Sequence, residues 1–468
     1  MKTLIKNGTI VTASDTIKAD VLIEGEQVAL IGRDLPADGA NVIDASGKLL
    51  LPGGIDVHTH LELPFGGTVS SDDFFTGHKA AAFGGTTMHI DFVIQPIGGS
   101  LADGIADWRQ KSTDKAAIDY GFHIAITDLR DEVMAEIPSV LDEGITSLKL
   151  FMAYKNVFQI DDTTLFRAMT VAAKHGMIIM VHAENGDVIA ELTAQLLAEG
   201  KTDPKYHATA HPAMAEAEAT GRAVAMAGMT GARLYVVHMT CEEAVEQLAL
   251  GRAKGFNVMG ETCTQYMFIF EEDLAKPGFE GAKFVCSPPV RQPKDAPILW
   301  QALKDNTLQA VSTDHCPFWY EGGVSGRLPG KELGKPSFDK IPNGMPGIED
   351  RMPVMWHHGV NGGHYSANRF VEITATNPAK IFGMYPRKGT IAVGSDADIV
   401  IWDPEKQHTI SAATQHMNTD YNVYEGMTVK GWADKVLLRG QVIVDGDEWL
   451  GAAGSGQYIF RQPHAAIL

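Results

Sequence analysis

The chain has 468 residues, 45% hydrophobic and 21% charged, with a formal net charge of −19. That length suits one large domain with a smaller companion. The acidic balance, with no Lys/Arg cluster to offset it, excludes a phosphate-binding surface and so argues against nucleic acid as a partner.

The N-terminal stretch MKTLIKNGTIV is interrupted by Lys6, Asn7 and Gly8, so it forms no signal-peptide core. No apolar run elsewhere reaches the length of a membrane span. The cysteines, Cys241, Cys263, Cys286 and Cys316, form no CxxC pair and suggest small buried apolar residues in a reduced, cytoplasmic protein.

Residues 1–50 read as short strands and tight turns. Asn-Gly between apolar runs in TLIKNGTIV predicts a hairpin. DVLIEGEQVALIG and NVIDASGKLLLPG repeat the style, and it returns after residue 385 in GTIAVGSDADIVIWDP and KVLLRGQVIVDG. LIKNGTIV even resembles LLRGQVIV. The ends, 1–50 and 385–468, are therefore expected to build one small β-sandwich, with 51–384 inserted between them.

The insert holds eight apolar runs: GGIDVHTHLEL, TTMHIDFVI, YGFHIAIT, SLKLFMAY, MIIMVHAE, RLYVVHMT, FNVMGETC and LQAVSTDHC. Helix-compatible segments such as DDTTLFRAMTVAAKHG and MAEAEATGRAVAMAG separate them. In the first, Asp162 and Thr163 are cap candidates and Gly176 a terminator. Eight alternations predict an α/β fold, a (β/α)8 barrel rather than a doubly wound sheet.

Barrel chemistry gathers at the C-terminal ends of the strands. Five runs carry a candidate ligand there: His58 and His60, Lys149, His182, His238 and Asp314. A lone HxH pair is weak evidence, but the joint placement points to metal. Imidazoles suit Zn2+, and four His with one Asp exceed a single open tetrahedral site, which suggests two cations sharing a bridge. Lys149 alternates with Leu148 and Leu150, so it points into the barrel. A buried lone lysine shifts toward the neutral amine, which reacts with CO2 to give an anionic, two-oxygen carbamate. The alternative is a lysine paired with a carboxylate. Asp314 could accept a proton from an attacking water or simply cap the next loop.

The motifs PGGIDVHTHLELPFGG, DDFFTGHKAAAFGGTT, SLKLFMAYK, VHAEN, VHMT, GETCTQYM, CSPPVR, TDHCPF and IPNGMPGIEDR occur in this order along the whole chain. As a set they resemble the D-hydantoinase/dihydropyrimidinase family of cyclic amidohydrolases. The resemblance implies a barrel with a sandwich from both ends, a homotetramer, two Zn2+ per subunit (other divalent metals being possible) and opening of a small cyclic amide to an N-carbamoyl amino acid. It implies that His58, His60 and Asp314 hold one ion, that His182 and His238 hold the other, and that carboxylated Lys149 bridges them. It further implies that Tyr154 hydrogen-bonds the developing oxyanion and that backbone groups of Ser287 and Asn343 bind the ring. It also implies that Leu63 and Phe65 belong to the loop that gates the substrate side chain.

Two positions depart from the family pattern: Thr264, where proline is usual, and Glu62, next to the gate loop. Dihydroorotase-like and allantoinase-like relatives share this machinery. Dihydroorotase-like sequences usually follow HxH with an arginine, whereas Leu61 and Glu62 follow here. Arg291 and Arg351 read as structural. Non-catalytic interaction relatives lose ligand positions that this chain keeps. Residues 321–340 read as a mobile loop after the eighth strand, and the C-terminal segment with Tyr458, Ile459 and Phe460 is expected to pack on a neighbouring subunit.

Overall fold

The computed structural model describes residues 2–463. Eight parallel strands form its centre: β1 (Gly54–Thr59), β2 (Thr86–Ile94), β3 (Asp119–Ala125), β4 (Ser147–Phe151), β5 (Ile178–His182), β6 (Arg233–Val236), β7 (Val258–Cys263) and β8 (Ala310–Ser312). Each coincides with one of the eight predicted runs, β3 starting one residue earlier, and each pairs in parallel with the next along the sheet. The seam between β8 and β1 is closed just beyond the ladder by a parallel bridge between Thr59 and His315. Arg351 Nη1 stitches the same seam by donating to Ile55 O at 3.1 Å and Val311 O at 3.0 Å. The molecule thus contains the (β/α)8 barrel expected from the alternation.

These strands are buried on both faces because helices cover the outside. The period of two sorts their side chains. Ile55, Val57, Met88, Ile90, Phe92, Met180 and Tyr235 fill the barrel, whereas Leu148, Leu150, Ile179, Val181 and Leu234 join the core under the helices. The helix Asp162–His175 shows the covering logic. Leu165, Ala168, Met169 and Ala172 recur at helical spacing and are buried. Gly176 ends the helix in the left-handed region, as its sequence suggests. The N-cap, however, is Asp161, whose carboxylate accepts from Thr164 N, and not Asp162 or Thr163. A cap residue has extended backbone and accepts from the second or third helical N–H; Asp161 meets both conditions, whereas Asp162 and Thr163 already lie inside the helix.

Both chain ends supply the remaining sheets, apart from a two-stranded one of Pro64–Phe65 and Thr68–Val69. One has four strands, all from residues 2–44. The other has seven, from residues 9–18, 49–52 and 399–449. Ile5, Val21, Ile43 and Leu50 share a core with Ile399, Ile401 and Leu437. The Asn7–Gly8 hairpin does not form. Lys2–Lys6 pairs within the four-stranded sheet and Thr9–Val11 within the seven-stranded one. A type I′ turn needs positive φ at both central residues. Asn7 has φ +66° but Gly8 does not, so the chain crosses from sheet to sheet; at Arg439–Gly440, with φ +44° and +77°, a hairpin does form. A Cβ on Gly8 would lie 2.7 Å from Leu50, which is the closeness the crossing demands.

The C-terminal segment also departs from expectation. Tyr458 bridges to Tyr120 on the same chain, Ile459 N donates to Tyr120 O, and Tyr458 Oη donates to Glu143 O. Ile459 and Arg461 are buried there, and Arg461 donates to Phe122 O. The segment satisfies its apolar residues against its own barrel floor, leaving Phe460 58% exposed. Residues 464–468 lie outside the described residues.

Among the described residues, all four cysteines are free and buried, and no helix is long and apolar enough to cross a membrane.

Candidate metal centre and active site

The strand ends of β1, β4, β5, β6 and β8 converge on one cleft. His58, His60, Lys149, His182, His238 and Asp314 all line it, with Leu63, Phe65, Tyr154, Ser287 and Asn343. Every candidate site residue read from the sequence is therefore at one place. Three of them reach it through left-handed backbone two or three residues beyond a strand's end: Tyr154 (φ +67°), His238 (φ +40°) and Asp314 (φ +52°). Such conformations cost a non-glycine residue on the order of 1–3 kcal/mol. At Tyr154 the reversal breaks strand alternation, which is how a residue of opposite parity to Lys149 faces the same cleft.

His58 and His60 each place Nε2 3.1 Å from Asp314 Oδ1. On the other side of the cleft, His182 Nδ1 is 2.9 Å from His238 Nε2. Lys149 lies between these pairs, 1% exposed, with its Nζ 4.9 Å from the Phe92 ring centroid and 5.1 Å from that of Phe151.

Two carboxylates that sequence reasoning passed over set the imidazole tautomers. Glu261 Oε1 sits 2.6 Å from His58 Nδ1, and Glu184 Oε2 sits 2.8 Å from His182 Nε2. A carboxylate only accepts, so each ring donates its outer N–H and turns a lone pair inward. For His58 that lone pair faces Asp314 Oδ1, another acceptor. Such a contact requires positive charge between the two atoms: either a proton, since burial lowers His58 but the Asp314 and Glu261 charges raise it, or a metal ion in its place. His58 Nε2, His60 Nδ1 and His238 Nδ1 are indeed buried without a hydrogen-bond partner. Donor atoms of His58, His60 and Asp314 all lie within 4.8 Å of one another. The donor set fits divalent cations of the zinc type. Glu184 was legible in VHAEN, two residues from His182 on the same face. Glu261 was not, because its partner lies 203 residues away.

The electrostatics agree. Burial raises the Asp314 carboxyl, but His58 and His60 outweigh it and hold the group well below the usual range. Burial lowers His60 to about 4 despite Asp314. Burial pushes Lys149 down to about 8, against the pull of Asp314 and Glu261. Burial, helped by the Glu184 and Asp314 charges, raises the Tyr154 phenol well above 10, although hydrogen bonds to Ser287 and Asn343 oppose the shift. Asn343 Nδ2 also donates to Ser287 Oγ at 3.0 Å.

Other residues singled out in the sequence lie elsewhere. Glu62 pairs with Lys115 Nζ at 2.9 Å and does not line the cleft. Thr264 begins a short 3-10 turn. Arg291 is buried against Glu216 at 2.8 Å, and Arg351 is held at the barrel seam. Neither lines the cleft, so neither offers a guanidinium to a substrate carboxylate there.

A profile of the amidohydrolase family matches residues 49–443. The D-hydantoinase of Geobacillus stearothermophilus is 51% identical over 469 residues, covering 100% of this chain and 98% of that protein. The dihydropyrimidinase of Rattus norvegicus is 42% identical, covering 99% and 90%. The crystal structure of dihydropyrimidinase from Brevibacillus agri NCHU1002 superposes with a TM-score of 0.97 at 56% identity, covering 100% of both chains. The chain belongs to the amidohydrolase family, among its D-hydantoinase and dihydropyrimidinase members.

Proposed function

We propose that the protein is a binuclear-metal hydrolase that opens the cyclic amide of dihydropyrimidines or 5-substituted hydantoins to N-carbamoyl amino acids. The observation that carries the reading is the convergence of His58, His60, Lys149, His182, His238 and Asp314 in one cleft, with buried imidazole nitrogens that have no other partner. His58, His60 and Asp314 would hold one Zn2+ and His182 and His238 the other, with Lys149, as its carbamate, joining them. Bound divalent cations supply Lewis-acid polarisation of the amide carbonyl and lower the pKa of water.

The chain's own groups do the rest. Asp314 accepts the proton of the attacking water and passes it to the ring nitrogen as the C–N bond breaks. Tyr154, protonated throughout the neutral range, donates to the carbonyl oxygen as negative charge develops there. Ser287 and Asn343 orient the ring amide. Leu63, Phe65 and Phe158 give the cleft an apolar wall, which suits a neutral or hydrophobic ring substituent and excludes water around the reacting carbonyl.

We assign catalysis to residues 51–384 and a supporting β-sandwich to 1–50 with 385–468, on the strength of the shared core between the two ends. A cytoplasmic location is supported by four free cysteines. A homotetramer is supported by Phe166, Val188, Met214 and Met229, which are exposed on helices of the barrel surface. Light scattering would test the latter by returning the mass of four chains.

The function is tested by comparing turnover of dihydrouracil, a 5-substituted hydantoin, dihydroorotate and allantoin, with metal content measured on the same sample. Turnover of the first two with about two divalent ions per chain is expected. Fast turnover of dihydroorotate or allantoin alone moves the protein to those relatives. Absence of both metal and turnover makes it an interaction protein.

A further inference from the structure

Residues 321–340 follow the eighth strand, where the sequence suggests a mobile loop. Its centre is instead pinned. Lys331 N donates to Trp319 O at 2.7 Å, and the Glu332 carboxylate accepts from Gly322 N and Gly330 N. The Lys331 side chain runs inward and is fully buried. Its Nζ donates to Val285 O at 2.8 Å, Pro342 O at 2.7 Å and Gly344 O at 2.7 Å. Among the described residues no carboxylate forms an ion pair with it.

Those three acceptors flank the substrate-facing positions of the cleft. Val285 stands two residues before Ser287, and Pro342 and Gly344 bracket Asn343. An ammonium has three N–H donors and no lone pair. Three carbonyls saturate it, whereas a neutral amine would turn a lone pair toward one of them. Burial pulls Lys331 down to about 7, whereas the carbonyl triad is matched only to the charged form. The nearby Cys286 thiol, raised to about 12 by burial, and the Cys316 thiol, raised well above 9, stay neutral and give no counter-charge. An uncompensated buried ammonium is expensive, and its hydrogen bonds to carbonyls are of the strong, charge-assisted kind.

We propose that Lys331 is a positioning residue for the ring-binding wall, its ammonium tying the Val285, Pro342 and Gly344 carbonyls together and so setting the spacing between Ser287 and Asn343. This rests on the cyclic-amide reading above. Lys331 touches neither the candidate metal ligands nor the reacting atoms. Its removal therefore acts on substrate binding and leaves the metal centre intact. The Gly344 N to Val285 O hydrogen bond at 3.0 Å joins the same two segments directly, so the wall loosens without collapsing.

The test is steady-state kinetics of the metal-loaded wild type and K331M on dihydrouracil and a 5-substituted hydantoin, with metal content measured in parallel. The expected result is a KM raised tenfold or more, kcat changed by less than threefold and an unchanged metal content. A KM within twofold of wild type overturns the proposal, and so does joint loss of kcat and metal. If K331M does not fold, K331Q, whose amide keeps two donors in the polar cradle, is read by the same criteria. A wild type that binds metal yet opens neither ring sinks the underlying reading. An active wild type with KM unaltered in the variant sinks the Lys331 inference alone.

Discussion

Nδ1 of His58 and Oε1 of Glu261 lie 2.6 Å apart, both side chains 1% exposed or less, at the floor of the cleft. Tyr235 Oη donates to the other carboxylate oxygen at 2.9 Å, so Glu261 is fixed at both ends. The pair decides which nitrogen of His58 carries its proton, and hence whether the inner nitrogen is free to bind a cation. Glu261→Gln removes the negative charge and permits the amide to present its NH2 to the ring instead. Divalent-metal affinity should fall about 10–100-fold, read by competition with a chelator. Unchanged affinity would mean that Glu261 has no part in setting the tautomer.

Lys149 carries a pH dependence. Its pKa is lowered by burial to about 8, so the neutral, CO2-reactive amine is roughly a hundredth of the population at pH 6 and roughly a tenth at pH 7. Reconstitution of metal-free protein with Zn2+ at fixed dissolved CO2 should accelerate about tenfold per pH unit up to pH 8 and level off above it. Lys149→Met should bind no second ion and lose activity. Native mass spectrometry of the wild type should show the added mass of one CO2, absent from the variant.

Tyr154→Phe should lower kcat by roughly 10²–10³ with metal content and melting temperature preserved. Because burial keeps the phenol protonated well above pH 10, the wild-type kcat should show no tyrosine limb on its alkaline side. A limb below pH 10 that vanishes in the variant would contradict this.

Arg461 ties the C-terminal segment to the barrel floor through Phe122 O, and its guanidinium is fully buried. Arg461→Ala should destabilise the fold by about 2–3 kcal/mol, read from denaturant unfolding, with little change in KM. Deleting residues 455–468 should cost more, since burial of Ile459 is worth roughly 1.5–3 kcal/mol in addition. A truncated chain that kept its stability while changing its assembly would restore the idea of a tail reaching a neighbour.

Much of this protein was legible in order along the chain. The eight apolar runs are the eight barrel strands because strand hydrophobicity and helix spacing are local properties, repeated at each turn of the barrel. The histidines, Lys149 and Asp314 could be singled out because parallel strands bring their C-terminal ends to one face, so a residue's place at a run's end predicts its company. What sequence could not supply were relations between distant backbones. Asn7–Gly8 and Arg439–Gly440 look alike in letters, yet one crosses between sheets and the other turns a hairpin, because only the second pair takes positive φ at both residues. Glu261 looked like any strand carboxylate until the fold set it against His58. Lys331 looked like a loop lysine until three carbonyls from two other segments closed around it. Local pattern determined the elements and the end of the barrel where chemistry gathers. The tertiary structure alone decided which buried charges have partners, since that depends on chain segments whose separation in sequence carries no distance information.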